Sequence, residues 1–241
     1  MMLTPVLARE LWKALVDNAT GLTEDAAVLL EAGSSARARS FLVLAQEELG
    51  KALWIYETFE TAWNKGTSEP LLVERLRTHG RSHSRKYLES FLFGHELEMF
   101  WGDYSKLILP SDSETIDEIV ARRRIDAERA AKDANIAKQA GFYVDVDEQG
   151  SVHSPRNVGD DSMDEDLRRA TAVIEMLLIR DHSRMKYEAT TPYDSTHEQQ
   201  FRLLPMAHPE DFAEAMGEEG GPGHEGSSPA ASGTPTDPAT M

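Results

Sequence analysis

The sequence predicts an all-α fold, and three observations carry that prediction. Apolar residues recur at helical spacing through four long stretches, whereas strand-like alternation appears once, between Gly141 and Pro155. Gly, Pro and Ser cluster between those stretches as punctuation. The apolar content is 40%, enough for a sizeable core in a chain of 241 residues.

In chain order, Thr4 with Pro5 opens a helix through Leu7, Leu11, Leu15 and Val16. Asn18 to Gly21 is expected to kink or break it before Glu24 to Ala32 continues in phase. Gly33-Ser34-Ser35 reads as a turn and cap. A long helix follows to about Asn64, then a loop from Lys65 to Pro70. Leu71 to Thr78 is expected to be a short helix or turn, and a further helix spans about Ser82 to Asp103. On its wheel His83, Tyr87, Ser90, Gly94, Leu97 and Trp101 share a face, and the small Ser90 and Gly94 predict close approach of another helix. Pro110 and Ser111 to Ser113 precede a charged helix, about Glu114 to Gln139, whose polarity predicts wide exposure. Residues 141–155 form a small hairpin or an ordered loop. Met163 to Tyr187 is the last strong helix. The domain is expected to occupy residues 1–193, and residues 194–241 a mostly disordered acidic tail, with a short helix at Pro209 to Met216.

The charge distribution narrows function. The net charge of −17 argues against generic nucleic-acid binding. About half of that excess lies in the tail, where nine acidic residues face one arginine. Between Glu74 and Lys86 the bias reverses, with Arg75, Arg77, Arg81, Arg85 and Lys86 against Glu74, which leaves room for a local anionic ligand. Without cysteine, disulfides, thiolate nucleophiles and thiolate metal sites are excluded. No apolar run approaches the roughly 18–20 residues of a membrane span, and the expected location is the cytoplasm.

The most informative stretch is Ala36 to Tyr56. Wound as a helix, Phe41, Leu44, Ala45, Ala52, Ile55 and Phe59 fall on one face with Glu48 at its centre. Glu47 and Lys51 lie at the edge in the favourable i,i+4 order, while Gln46, Gly50 and Glu57 mark the wetter side. A carboxylate inside an apolar stripe needs a partner, because burying an unpaired charge is expensive. Glu48 therefore predicts a cation or donor from another helix, with Arg37 pointing the same way. His83 and Lys86 are the expected partners of Glu47 and Glu48. Two readings stay open: a buried ion pair that fixes helix register, or a polar pocket in which the carboxylate tunes His83.

Other polar groups carry weaker signals. Glu175 and His182 fall on one line of a helix, but no helix supplies the Glu-x-x-His pattern of a di-iron bundle, so no metal and no cofactor is expected. Arg122-Arg123-Arg124, Arg129 and Lys132 are interleaved with Asp126, Glu128 and Asp133, the pattern of a solvated face that is also able to touch RNA. Trp12, Trp54, Trp63 and Trp101 belong on apolar stripes.

Three segments stand in order: Ala45-Gln-Glu-Glu-Leu-Gly-Lys-Ala52, His83-Ser-Arg-Lys86, and Lys138-Gln-Ala-Gly-Phe-Tyr-Val-Asp145 leading to Ser154-Pro155. Together they resemble the AbiV family of abortive-infection proteins, a branch of the HEPN helical superfamily, over roughly Leu3 to Tyr187. The resemblance implies an all-α HEPN bundle with a small insertion, a homodimer, and a part in defence against phage. Many HEPN proteins are metal-independent ribonucleases with an arginine and a histidine four to six residues apart. Arg77 and His83 fit that spacing, although Thr78 follows the arginine where the superfamily usually has asparagine or aspartate.

The resemblance and the residue reading together make His83, Arg77, Glu48 and Lys51 the candidate catalytic set, and Glu47, Arg81 and Lys86 the candidate binding set. The alternative is a non-catalytic module that inhibits a host or phage component through a helical dimer surface, with the Phe142 to Pro155 loop as a contact.

Overall fold

The computed structural model describes residues 1–101, 115–157, 162–187, 195–209 and 211. Seven α-helices are found among them: α1 (Pro5–Glu31), α2 (Ser35–Lys65), α3 (Glu74–His79), α4 (His83–Trp101), α5 (Ile116–Phe142), α6 (Met163–Tyr187) and α7 (Glu198–Ala207). The chain divides into one compact unit from Met1 to His208 and a second from Pro209 to Met241. The expected tail beyond residue 211, most of its short helix and the Pro110 turn lie outside the described residues, as do the side chains of Leu97 and Trp101.

The first unit is built around α2, which packs against α1, α4, α5 and α6. Leu42, Leu49, Leu53, Trp54, Ile55, Tyr56, Phe59 and Trp63 are all buried, so apolar residues run right round the helix rather than along one stripe. A helix of that kind can only be a bundle's centre. The expected wet side of α2 is therefore absent: Gln46 and Gly50 are buried, and only Glu57 is exposed. α2 ends at Gly66, whose φ of 62° gives the left-handed cap that glycine adopts without a Cβ clash.

Helix α1 begins where Thr4 Oγ1 accepts from the Leu7 N–H at 3.3 Å, with Pro5 in the first turn. It does not break at Asn18 to Gly21. Within the continuous run Thr20 and Thr23 donate their hydroxyls to the carbonyls of Val16 and Ala19, at 3.0 and 2.8 Å, so both buried hydroxyls are satisfied. Ahead of it, β1 (Met2–Leu3) pairs antiparallel with β2 (Leu71–Leu72), tying the N-terminus to the connection between α2 and α3. That clip takes residues for which the sequence predicts a helix or turn. β3 (Asp145–Val146) and β4 (Val152–His153) form the expected hairpin.

Two contact regions hold the bundle. In the first, Trp12, Tyr56, Phe59 and Trp63 pack with ring centroids 5.7–6.4 Å apart. Trp63 Nε1 donates to the Pro5 carbonyl at 2.9 Å. Beside them the buried Asp181 of α6 accepts from Arg9 of α1 at 2.7 Å and from Arg184 at 2.9 Å. In the second, small residues let backbones meet. Ser40 Oγ donates to the Lys138 carbonyl at 2.9 Å, beside Gly141. Ser90 of α4 hydrogen-bonds Gln46, and Gly94 faces Val173 of α6, as the small face of α4 predicts. α5 is less exposed than its composition suggests, because Ala127, Ala131, Ala134 and Lys138 form a buried stripe at helical spacing.

Beyond Pro192 the fold continues. α7 buries Leu203 and packs on α6 and α1, and Arg202 pairs with Glu24 at 3.0 Å. The packed unit thus ends at His208, beyond the boundary at residue 193 that composition suggests.

The closest crossing supplies a test. A Cβ added at Gly50 would lie 1.9 Å from the Lys86 carbonyl oxygen, so α4 would have to shift. Overpacking of this kind costs about 1–3 kcal/mol. Gly50→Ala is expected to lower the urea midpoint accordingly; an unchanged midpoint would show that α4 is not pressed onto α2 there.

Candidate functional site

The acid that enters the interior is Glu47, not Glu48. The Glu47 side chain is 3% exposed and meets three basic groups from two other helices. Lys138 Nζ of α5 lies 2.6 Å from Oε1; Lys86 Nζ and His83 Nδ1 of α4 lie 2.8 and 2.7 Å from Oε2. Glu48 stays at the rim and pairs with Lys51 one turn on, at 2.6 Å. The reason is the position of the neighbouring helices. The face centred between Ala45 and Ile55 is not the one that α4 and α5 press, so the residue 100° further round receives their cations. Arg37, expected to point the same way as Glu48, reaches Ser34 at 3.5 Å on the exposed end of α2.

The electrostatics follow from this geometry. Burial by itself would push the Glu47 carboxyl up, but hydrogen bonds from Lys138, Lys86 and His83 together outweigh it and hold the group below the usual glutamate range. Glu47 is therefore an anion that only accepts. It follows that His83 Nδ1 carries a proton and donates, which leaves Nε2 as the ring's other working atom. The His83 side chain is 57% exposed, whereas Lys86 and Lys138 are nearly buried. The cluster has a closed back and an open front.

The remaining expected residues fall elsewhere. Arg77 belongs to α3 and His83 to α4, with Gly80 capping α3 between them. Arg77 is exposed and binds Glu74 through Nε at 3.0 Å and through Nη2. Arg81 is exposed in the link between α3 and α4. Lys138 is the member that sequence reasoning missed as a site residue. Its signal was present: it is the charged residue on the alanine stripe of α5. Glu175 meets His208 at 2.8 Å and His182 meets His197 edge to face, and among the described residues no group of acids and histidines could hold a metal ion. No helix in the described residues is long and apolar enough to cross a membrane.

Removing Glu47 would leave two lysines uncompensated in the interior. Losing one partner of a buried ion pair typically costs about 3–5 kcal/mol, whereas a rim pair is worth about 1 kcal/mol or less. Glu47→Gln is thus expected to destabilise strongly and Glu48→Gln hardly at all, measured by urea unfolding. Because folding lowers the Glu47 value, its contribution is complete above the unfolded glutamate range, about pH 4.3, and is lost as pH falls through the folded value. The stability gap between wild type and Glu47→Gln should narrow on acidification over that interval; a gap independent of pH would contradict the ionised cluster.

Comparison with known proteins adds the last observation. No curated protein and no solved structure matches the chain. The sequence model of the AbiV family of HEPN proteins matches residues 7–175, which takes in Glu47, His83, Lys86 and Lys138 and most of the bundle. The chain belongs to the AbiV family within the HEPN superfamily, and its role is abortive infection in defence against phage.

Proposed function

We propose that the protein acts as a metal-independent HEPN-type ribonuclease, with His83 as its proton-transfer group, in the cytoplasm and as a homodimer. The observation that carries this reading is the asymmetry of the Glu47 cluster. A buried carboxylate fixes Nδ1 of an imidazole whose other side is open. With Nδ1 held in this way the imidazole presents Nε2 to take the proton of a ribose 2′-hydroxyl. The 2′-oxygen then attacks the adjacent phosphorus and the P–O5′ bond breaks, giving a 2′,3′-cyclic phosphate and, as the leaving oxygen takes the proton from the imidazolium, a 5′-hydroxyl end.

Arg77 is the proposed phosphate holder. Its pair with Glu74 is exposed and solvent-screened, so exchanging that carboxylate for a phosphate costs little. In this scheme Glu47, Lys86 and Lys138 orient His83, and Glu48 with Lys51 stays at the margin.

A second reading has its own support. Phe142, Tyr143, Val144, Val146 and Val152 are all exposed along the hairpin and its approach, an apolar surface suited to a host or phage protein. In that case the protein inhibits by binding, and the Glu47 cluster is a register lock.

The two readings separate at one residue. Glu47 keeps both lysines when His83 is truncated, so His83→Ala should fold normally. It is expected to lose EDTA-insensitive cleavage of total RNA and protection against phage together. Wild-type protein that leaves RNA intact, or a His83→Ala variant that cleaves at the original rate, removes the enzymatic reading. Loss of protection on Tyr143→Ser in a protein without nuclease activity supports the binding reading.

A further inference from the structure

Lys138 is held at both of its ends. Its ammonium lies 2.6 Å from Glu47 Oε1, and its backbone carbonyl accepts from the Ser40 hydroxyl at 2.9 Å. Ser40 and Glu47 both belong to α2 and lie two turns apart, so one residue of α5 spans about 10 Å of the central helix. A lysine has a stem of four carbons with which to cover that distance. The ammonium therefore meets the carboxylate only while the backbone of α5 stays against Ser40.

Three contacts in the final turn of α5 keep it there. The Ser40 side chain is fully buried, and its oxygen also lies 3.1 Å from the Ala36 carbonyl, so the hydroxyl has acceptors on both helices. Gly141 brings α5 onto Ser40 and Ala36 so closely that a Cβ at this position has no room. The Phe142 ring packs on Phe41 with centroids 6.0 Å apart.

The clamp matters because Glu47 has two oxygens with different duties. Oε1 takes Lys138, whereas Oε2 takes Lys86 and His83 Nδ1. With Lys138 in place the carboxylate is fixed from both sides. Without it the group can turn towards Lys86, and the imidazole loses a fixed acceptor.

We propose that Ser40 and Gly141 are positioning residues for His83. By pinning the last turn of α5 they hold Lys138 on Oε1 of Glu47 and leave Oε2 aimed at the imidazole. The catalytic consequence rests on the ribonuclease reading; the placing of the ring rests on the contacts alone.

The test reads the carboxylate and the histidine directly, by NMR of the full chain. Wild type, Ser40→Ala, Gly141→Ala and Lys138→Met are titrated while the Glu47 side-chain carboxyl is followed. The two-bond proton–nitrogen pattern of His83 reports which ring nitrogen carries the proton. Burial pushes the Glu47 carboxyl up, and Lys138 is foremost among the groups that pull it down. Each variant should thus move the Glu47 midpoint upwards and reduce the Nδ1–H form of His83. Ser40→Ala removes only a hydroxyl, so the question stays open to test even if Gly141→Ala does not fold. Added to Lys138→Met, Ser40→Ala should change neither signal further. Thr23→Val, which removes a buried hydroxyl from α1, should leave both signals at their wild-type values. RNA cleavage by Ser40→Ala is expected to fall about tenfold, in kcat rather than KM. Wild-type signals in Ser40→Ala, or a further change on adding it to Lys138→Met, overturn the proposal and reduce the contact to helix packing. If wild-type protein leaves RNA intact, the ribonuclease reading falls, and the two NMR signals still decide the positioning.

Discussion

A carboxylate in the interior of a bundle persists only if cations come to it, and at Glu47 they come from two directions. Lys86 arrives on α4 and Lys138 on α5, each within 2.8 Å. Neither lysine is tolerable there without the carboxylate, and without them burial would push the carboxyl up. Three helices are thereby committed to one register. A one-residue slip of α4 or α5 would carry its lysine about 100° round the helix and leave charges unmatched.

Packing makes that register attainable. Gly50 removes the side chain at the point where the Lys86 backbone crosses α2, and Gly141 does the same where α5 meets Ala36 and Ser40. The ammonium groups can then reach Glu47 from backbones lying almost in contact. On the opposite side of α2, the large rings of Trp12, Tyr56, Phe59 and Trp63 fill the space, and the Arg9–Asp181–Arg184 group joins α1 to α6. The two sides of α2 therefore solve different problems. One is a broad apolar joint, and the other a tight joint with a charge at its centre.

The open front of the cluster is what links this architecture to chemistry. His83 is the first residue of α4, so its ring projects from the helix end instead of being folded into the joint. Stability rests on the lysines, and the imidazole is spare. A histidine held at one nitrogen by a buried anion keeps its other nitrogen open to a ligand. The short α3–α4 connection collects basic residues at one end of the bundle, several of them paired with carboxylates.

Much of this was legible in the residues. The helical spacing, the Gly33 and Gly66 stops, the small face of α4 and the hairpin at residues 145–153 follow from local chemistry, which acts within a few neighbours. The same is true of the need for a buried acid in α2 to find His83 and Lys86. Which acid it was could not be read, because α2 is apolar all round and its wheel has no single dry side. Glu47 and Glu48 differ by only 100°, and the docking of α4 and α5 chose between them. The same holds for Lys138 and for its meeting with Ser40. Those partners are separated by long stretches of sequence, and only the packing of whole helices decides which side chains share a place.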